Sequence, residues 1–301
     1  MRWENLRRSR NIEDRRGQRA GRGGRGTPVA MGSGCGMIAI LIIALILGVN
    51  PIQFLGEGGL QSEGQQSAPT QTSAQSDELA DFVSAVLGST EEEWTQIFRA
   101  NNRQYRLPKL INYSGATRMR TGGVAQAATG PFYLPAEETI YLDASFFYQL
   151  RQMSRDRSSD YDFAPAYVIA HEVAHHVQKL LGYTDFVHSK NGRVSTSEYN
   201  QLSVRLELQA DFLAGVWAHH ANRRHMQAKG VPLLEEGDVE EAMRAAKAIG
   251  DDALQRQQTG QIRPDSFTHG TSAQRLRWFT LGLKTGDINQ GDTFNIPYNR
   301  L

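Results

Sequence analysis

One stretch of the chain carries no charged side chain over 30 consecutive residues, 27–56. Its centre, residues 37–49, reads Met-Ile-Ala-Ile-Leu-Ile-Ile-Ala-Leu-Ile-Leu-Gly-Val. About 20 apolar residues are enough for a helix to cross the hydrocarbon core of a bilayer. The sequence therefore predicts one transmembrane helix at residues 31–55. A cleaved signal peptide is disfavoured, because the preceding basic region is long and no A-x-A cleavage pattern follows the apolar run.

The charges on the two sides of this stretch are unequal. The first 26 residues contain nine arginines and three acidic residues, although the whole chain has a net charge of only +1. Cytoplasmic flanks of membrane helices are rich in Lys and Arg. We therefore expect residues 1–30 to form a cytoplasmic arm, with the C-terminal part on the periplasmic or cell-surface side. The mildly acidic remainder indicates no nucleic-acid partner, since phosphate binding needs a basic folded face.

Beyond the apolar stretch the composition predicts a linker and then one folded domain. Residues 56–77 are rich in Gly, Gln, Ser and Thr, which is typical of a flexible tether. Residues 78–301 show mainly helical periodicity, with one strand expected within Glu137–Asp143 after a turn at Gly130–Pro131. The expected fold class is therefore α+β, mainly helical with a small sheet. The predicted helices are Glu78–Leu87, Glu91–Tyr105, Pro165–Leu181, Thr196–Gln227, Asp238–Gln258 and Ser272–Leu283.

Any metal in this domain must be bound by histidines and carboxylates, because Cys35 is the only cysteine. His171-Glu172-Val173-Ala174-His175 matches the pattern H-E-x-x-H inside a predicted helix. Residues four apart share one helical face, so both imidazoles can reach one metal ion. Glu172 can then act as a base toward water at that metal. The alternative is an ordinary helix whose histidines are simply hydrogen-bonded.

A second predicted helix carries two acidic residues in an apolar setting, Glu207 and Asp211. Hydrolytic zinc sites use three protein ligands and one open position. Glu207 is the candidate third ligand for one zinc ion per chain. Asp211, one turn later, is expected to accept a hydrogen bond from the free ring nitrogen of a ligand histidine. The alternative third ligand is Asp211. The histidines outside this set, which we expect to be structural or solvated, are His176, His188, His219, His220 and His225.

Taken together, these motifs resemble the bacterial neutral zinc metallopeptidases of the YpfJ-like family, within the gluzincin class that joins H-E-x-x-H to a downstream E-x-x-x-D. The resemblance implies a zincin-like domain and a membrane-anchored zinc endopeptidase. The family usually has cysteines where this chain has Gly122 and Leu134, and glycine at Ala174. The matching segments are Met1–Trp3, Glu13–Gly17, Gly130–Tyr133, Ile140–Asp143, Ala166–Glu172, His175–Gln178, Glu207–Asp211 and Thr268–Ser272.

A further segment, His269 to Arg275, is similar to the H-P-x-x-x-x-R stretch of membrane metallopeptidases of the CAAX prenyl protease type, with Gly270 in place of proline. This similarity implies that His269 faces the developing oxyanion and that Arg275 braces the site. The alternative is that Thr271 or Ser272 caps the last helix while His269 is a loop residue.

The functional hypothesis is hydrolysis of peptide bonds in a protein or peptide substrate. Zinc would polarise the carbonyl, Glu172 would activate water, and the strand at Ile140–Asp143 would pair with extended substrate. The competing hypothesis is a catalytically inactive, zinc-containing binding or chaperone-like module. No protein partner other than substrate is indicated, and the membrane would be contacted only through residues 31–55.

Overall fold

The computed structural model describes residues 1–18, 73–156 and 161–301. Within these ranges the fold is α+β and mainly helical, as predicted, with two small sheets. The α helices are α1 (Ser73–Ala100), α2 (Phe146–Ser154), α3 (Phe163–Leu181), α4 (Tyr183–Ser189), α5 (Thr196–Lys229), α6 (Asp238–Ala248), α7 (Asp251–Thr259) and α8 (Ser272–Thr285). The strands are β1 (Ile12–Asp14), β2 (Lys109–Asn112), β3 (Ala116–Arg118), β4 (Val124–Gln126), β5 (Phe132–Leu134) and β6 (Thr139–Leu142).

Local capping signals set the ends of the long helices. Gly182 ends α3 in the left-handed conformation, with its amide donating to the carbonyls of the last turn. The Ser195 side chain accepts from the amide of Glu198 at the start of α5. Thr271 and Gln274 form a capping box at the start of α8, which confirms the predicted cap there. These ends follow from residues within one turn of each other.

Two glycines allow α5 and α8 to approach closely. A Cβ on Gly215 of α5 would overlap the carbonyl oxygen of Phe279, and one on Gly282 of α8 would overlap the carbonyl oxygen of Phe212. The backbones therefore touch at the crossing, which brings the side chain of Arg275 on α8 to the α5 residues near the site. α3 packs against the same helix, so α5 contacts both α3 and α8.

The main sheet has the strand order β1-β2-β6-β5, and β3 and β4 form a separate antiparallel pair. β1 is parallel to β2, β2 is parallel to β6, and β5 is antiparallel to β6. Both edges of β6 are therefore occupied by neighbouring strands. The expected pairing of an extended substrate with Ile140–Asp143 is wrong for this reason, since β6 has no free edge.

The N-terminal segment 1–18 packs onto the rest of the domain. Its strand β1 aligns Ile12 with Leu110. Ser9 and Asn11 both donate to one carboxylate oxygen of the buried Glu91, at 2.6 and 2.7 Å. The segment thus contributes a strand to the sheet and polar partners to α1, so it belongs to the folded unit.

The contact between residues 1–18 and α1 requires glycine at position 88. A Cβ at Gly88 would overlap the carbonyl oxygen of Arg7, so the N-terminal segment lies directly on the helix backbone. The predicted pair of helices, divided near Gly88, is one continuous helix in the structure. The glycine serves close packing and does not end the helix.

The predicted single-pass membrane topology is wrong. It placed arm 1–30 and domain 78–301 on opposite sides of a bilayer, but residues 1–18 are packed on that domain. Among the described residues no helix has both the length and the apolar character that a membrane crossing requires. The predicted transmembrane helix at 31–55 lies outside the described residues, as does the linker at 56–77 apart from the first residues of α1.

Candidate metal centre

The structure brings His171, His175 and Glu207 together. One ligand atom of each lies within 4.8 Å of the other two. The Nε2 atom of His171 is 3.1 Å from Glu207 Oε2, and Nε2 of His175 is 3.6 Å from Glu207 Oε1. The histidines share one face of α3 because they are four residues apart, and Glu207 comes from the adjacent α5. Two imidazole nitrogens and one carboxylate therefore converge on one point.

The other ring nitrogen of each histidine already has a partner. His171 Nδ1 lies 2.8 Å from Asp211 Oδ1, the hydrogen bond expected from the sequence. His175 Nδ1 lies 2.9 Å from Gln178 Oε1. Acceptors at both Nδ1 atoms assign the proton to Nδ1 in the neutral rings, which leaves the Nε2 lone pairs toward Glu207. This is the tautomer that a metal bound at Nε2 requires.

Asp211 is the centre of a buried polar network behind the histidines. The Arg275 guanidinium donates to both carboxylate oxygens, from Nε at 2.8 Å and from Nη2 at 2.9 Å. The Tyr167 hydroxyl donates to the same carboxylate at 2.5 Å. All three side chains are at most 2% exposed. Arg275 thus holds Asp211, which in turn contacts His171, while the predicted bracing role of Arg275 in a reaction stays a prediction.

Glu172 lies next to the ligand cluster with one oxygen unused. Its residue is 7% exposed, and Oε2 is buried without a hydrogen-bond partner in the described part of the chain. Burial raises the pKa of Glu172, while the charges of His175 and His171 and the backbone amide of Tyr133 oppose that rise. A buried carboxylate oxygen without a partner is unusual in a folded protein.

His269 is also buried with one free atom. It is 1% exposed, and its Nδ1 contacts Thr268 Oγ1 at 2.9 Å and Asp251 Oδ1 at 3.2 Å. Its Nε2 has no partner in any of the three described ranges. The charge of the His269 ring is among the causes that lower the pKa of Glu207, so the ring lies within electrostatic reach of the cluster.

The charges of the cluster are mutually compensating. Burial disfavours ionisation of Glu207, but His175, His269 and His171 hold its pKa well below the usual range. Burial likewise acts against the charge of His171, but Asp211 and Glu207 raise its pKa to about 10. The Arg275 and His171 charges lower the pKa of Asp211 to about 2 against the effect of burial. Without a metal, the carboxylates of Glu207 and Asp211 are thus ionised. The pKa values of His171 and His175 are both raised.

Other histidines have structural partners. His176 is hydrogen-bonded through both ring nitrogens, to the Tyr133 hydroxyl and the Arg106 carbonyl. The backbone carbonyls of Leu283, Gly286 and Val231 bond three further histidines, His219, His220 and His225 respectively. None of these four belongs to the group of His171, His175 and Glu207 that could bind a metal ion.

Sequence reasoning missed three contributors: Gln178, Tyr167 and Asp251. The first two lie three residues after His175 and four before His171, so helical spacing alone could have placed them on the same face. Asp251 had no such signal, because the predicted helix Asp238–Gln258 ran through it. In the structure that helix is broken, and α7 begins at Asp251.

Comparison with known proteins agrees with this geometry. Residues 1–294 match the family described as "Putative neutral zinc metallopeptidase". The chain therefore belongs to this family, and the resemblance inferred from the sequence is confirmed. Membership implies a zinc site, and the buried His171, His175 and Glu207 group is a candidate for it.

Two relatives illustrate the extent of the similarity. YpfJ of Escherichia coli (strain K12) is 46% identical over 295 residues, which cover 98% of this chain and 99% of that protein. Rv2575 of Mycobacterium tuberculosis (strain ATCC 25618 / H37Rv) is 38% identical over 261 residues, 84% of this chain and 85% of that protein. The names of both relatives state no activity. No solved structure matches the chain significantly.

Proposed function

We propose that this protein is a zinc-dependent endopeptidase that hydrolyses peptide bonds in protein or peptide substrates, with Glu172 as the general base. One observation carries the proposal. The buried Oε2 of Glu172 has no partner among the described residues, although the charges of all three candidate ligands act on this carboxyl group. A purely structural metal site has no use for a free carboxylate at an open coordination position.

The residues fit one zinc ion. Two histidines and one glutamate are a ligand set that catalytic zinc uses in proteins. Both Nδ1 atoms are hydrogen-bonded to oxygen acceptors, so both Nε2 atoms are available as ligands. Asp211 is held by a guanidinium and a hydroxyl, which keeps the His171 ring oriented without any metal. His171, His175 and Glu207 would therefore hold the ion.

The chain's own groups account for the proton and charge movements of hydrolysis. Zinc, when bound, supplies a Lewis acid that polarises the scissile carbonyl and lowers the pKa of water. Glu172 accepts a proton from the attacking water molecule as the new C–O bond forms, and passes it to the leaving amine nitrogen as the C–N bond breaks. The Nε2–H of His269, which has no partner among the described residues, would donate to the developing oxyanion, and Arg275 keeps Asp211 and hence His171 in place. Burial of these groups strengthens each electrostatic interaction.

The test uses the full chain, because residues 1–18 are part of the fold. Wild type, Glu172→Gln and the exposed-site control Glu236→Gln are compared for zinc content by mass spectrometry and for casein cleavage. We expect one zinc per chain in all three proteins. Cleavage should fall by about 100-fold or more only in Glu172→Gln, since a general base contributes roughly that factor. Absence of zinc from wild type would contradict the proposal.

The competing function is a binding or chaperone-like module that keeps zinc without turnover. Zinc bound by all three proteins, with no cleavage of casein or of a mixed peptide library by any of them, would favour that module. The same result would remove the general-base role from Glu172.

A further inference from the structure

One acidic residue, Asp251, contacts both the His269 ring and the loop that carries it. The Asp251 Oδ2 atom accepts the backbone amides of Thr268, His269 and Gly270 at 2.8, 2.7 and 3.1 Å. Its Oδ1 atom lies 3.2 Å from Nδ1 of the His269 ring, which the hydroxyl of Thr268, on the same loop, also contacts at 2.9 Å. One carboxylate therefore fixes both the loop that carries His269 and the ring itself.

The loop 268–270 has little freedom to adopt another position. Gly270 has φ = +87°, and a Cβ added there would lie 3.2 Å from Leu208 and 3.3 Å from Val204 of α5. Those two residues flank the turn that carries Glu207. The amide of Asp251 in turn donates to the Gly270 carbonyl at 3.0 Å. The loop is thus clamped between the start of α7 and the helix that supplies the third candidate ligand.

We propose that Asp251 is a positioning residue that accepts the Nδ1–H of His269, orients the ring and directs its Nε2–H to the metal centre. The inference rests on the proposed function, because it assigns His269 a task in that reaction. A carboxylate behind a histidine fixes the ring's tautomer and direction, as it does for histidines in other catalytic and metal sites. Burial of the free Nε2 without a partner is then explained by a role toward substrate.

Electrostatics agrees with this geometry. Burial alone would raise the pKa of Asp251, but the charge and hydrogen bond of the His269 ring and the backbone amides of His269 and Thr268 lower it below the usual range. Asp251 is therefore an anion in the folded protein. An anion at this position favours Nδ1 of His269 as a donor.

The neighbouring residue offers a matched control. Asp252 Oδ1 accepts from the backbone amide and the hydroxyl of Ser272, both at 2.7 Å, and so stabilises the start of α8. It occupies the same turn as Asp251, but these hydrogen bonds join it to Ser272 and not to the His269 ring. Asp252→Asn should therefore reproduce the structural cost of losing a carboxylate here without changing His269.

The experiment compares full-length wild type, Asp251→Asn, Asp252→Asn, His269→Gln and the Asp251→Asn/His269→Gln double variant. Ring nitrogen chemical shifts of ¹⁵N-histidine-labelled protein are recorded by NMR with and without added zinc, and His269→Gln assigns the His269 signals. We expect the His269 ring signals to move in Asp251→Asn and to stay in place in Asp252→Asn. Casein cleavage and thermal unfolding are measured on the same samples.

The kinetic expectation separates positioning from folding. Asp251→Asn should lower kcat about 10–100-fold with KM changed less than about 3-fold, a range typical of residues that orient a catalytic ligand. In the His269→Gln background the same substitution should cost less than about 2-fold, because both changes remove one function. Equal losses in both backgrounds, or losses in Asp252→Asn as large as in Asp251→Asn, would overturn the inference.

The NMR result distinguishes failure of this inference from failure of the proposed function. Unchanged His269 ring signals in Asp251→Asn would overturn the inference whatever the activity. Altered signals in a protein that cleaves nothing would uphold the positioning by Asp251 and reject the peptidase.

Discussion

The polar groups behind the candidate metal centre differ sharply from those in front of it. Behind it, Asp211, Arg275 and Tyr167 bond one another and His171. In front of it, Glu172 Oε2 and His269 Nε2 are buried without partners among the described residues. Buried polar atoms are nearly always paired, and an unpaired one costs about 1–3 kcal/mol. The groups behind the centre are fully paired, whereas the two in front are unpaired and, under the proposed function, are available to a reacting molecule.

Substitutions in the buried Asp211–Arg275 pair should have the largest effect on the free energy of unfolding. Asp211→Asn leaves the Arg275 guanidinium buried without its anion, and Arg275→Met leaves the Asp211 carboxylate without its cation. Each should lower the free energy of unfolding by about 3–5 kcal/mol, as measured by urea denaturation of metal-free protein. The double variant should cost less than the sum of the single changes, because one pair is lost.

A front substitution is the contrast for that measurement. Glu172→Gln removes no hydrogen bond from Oε2, so we expect its free energy of unfolding to change by less than about 1 kcal/mol. If Glu172→Gln proved as destabilising as Asp211→Asn, the distinction between the two sides of the site would not hold.

An intermediate effect is expected from separating the helices that join the back of the site. Gly282→Ala adds a Cβ that would overlap the Phe212 carbonyl oxygen, so α8 must move away from α5. Overpacking of this kind costs about 1–3 kcal/mol, and here it also displaces Arg275 from Asp211. The exposed Lys284→Ala in the same helix is the control, measured by the same urea denaturation. A loss below about 0.5 kcal/mol in Gly282→Ala would show that the crossing tolerates movement.

The smallest effect concerns a buried carboxylate outside the site. Burial and the nearby negative charges of Asp162, Asp156 and Asp238 raise the pKa of Glu241 to about 7, despite an amide donor from Ala164. The folded state therefore binds more protons than the unfolded state between about pH 4.5 and 7, so stability falls as pH rises through that window. Glu241→Gln should flatten this part of the stability curve.

The contribution of Asp211 to stability changes with pH in the opposite direction. Its pKa of about 2 lies below the unfolded value, so its contribution is present above about pH 4 and is lost as pH falls toward 2. Urea denaturation between pH 3 and 8 measures both slopes, with Glu236→Gln as an exposed control. An unchanged slope between pH 5 and 7 in Glu241→Gln would contradict the assignment to Glu241.

Much of the candidate site could be predicted from short patterns. The spacing of His171 and His175 predicted one helical face, and a helical pattern placed Glu207 and Asp211 one turn apart. The structure brings these residues together, while their roles in binding zinc and in catalysis stay predictions. The hydrogen bond from His171 to Asp211 was expected from the chemistry of histidine ligands and is present.

Other features could not be predicted because their cause lies far away in the chain. Two helices were predicted on either side of Gly88, but Gly88 lies inside one helix, where it accommodates the backbone of Arg7. Basic residues of the N-terminal segment resembled a membrane topology signal, yet Arg7 and Arg8 pair with Glu91 and Asp81 of α1. The arginines of the N-terminal segment thus form ion pairs with α1 of the folded domain.

The sequence by itself determined α3, α5 and α8, the cap at the start of α8 and the residues that share the helical faces of the candidate metal centre, because these depend on interactions within about one helical turn. Only the tertiary structure decided that residues 1–18 join the sheet, that Asp251 stands behind His269, and that Arg275 pairs with Asp211. Those contacts join residues separated by many positions, and their energies depend on burial that exists only after the helices have packed.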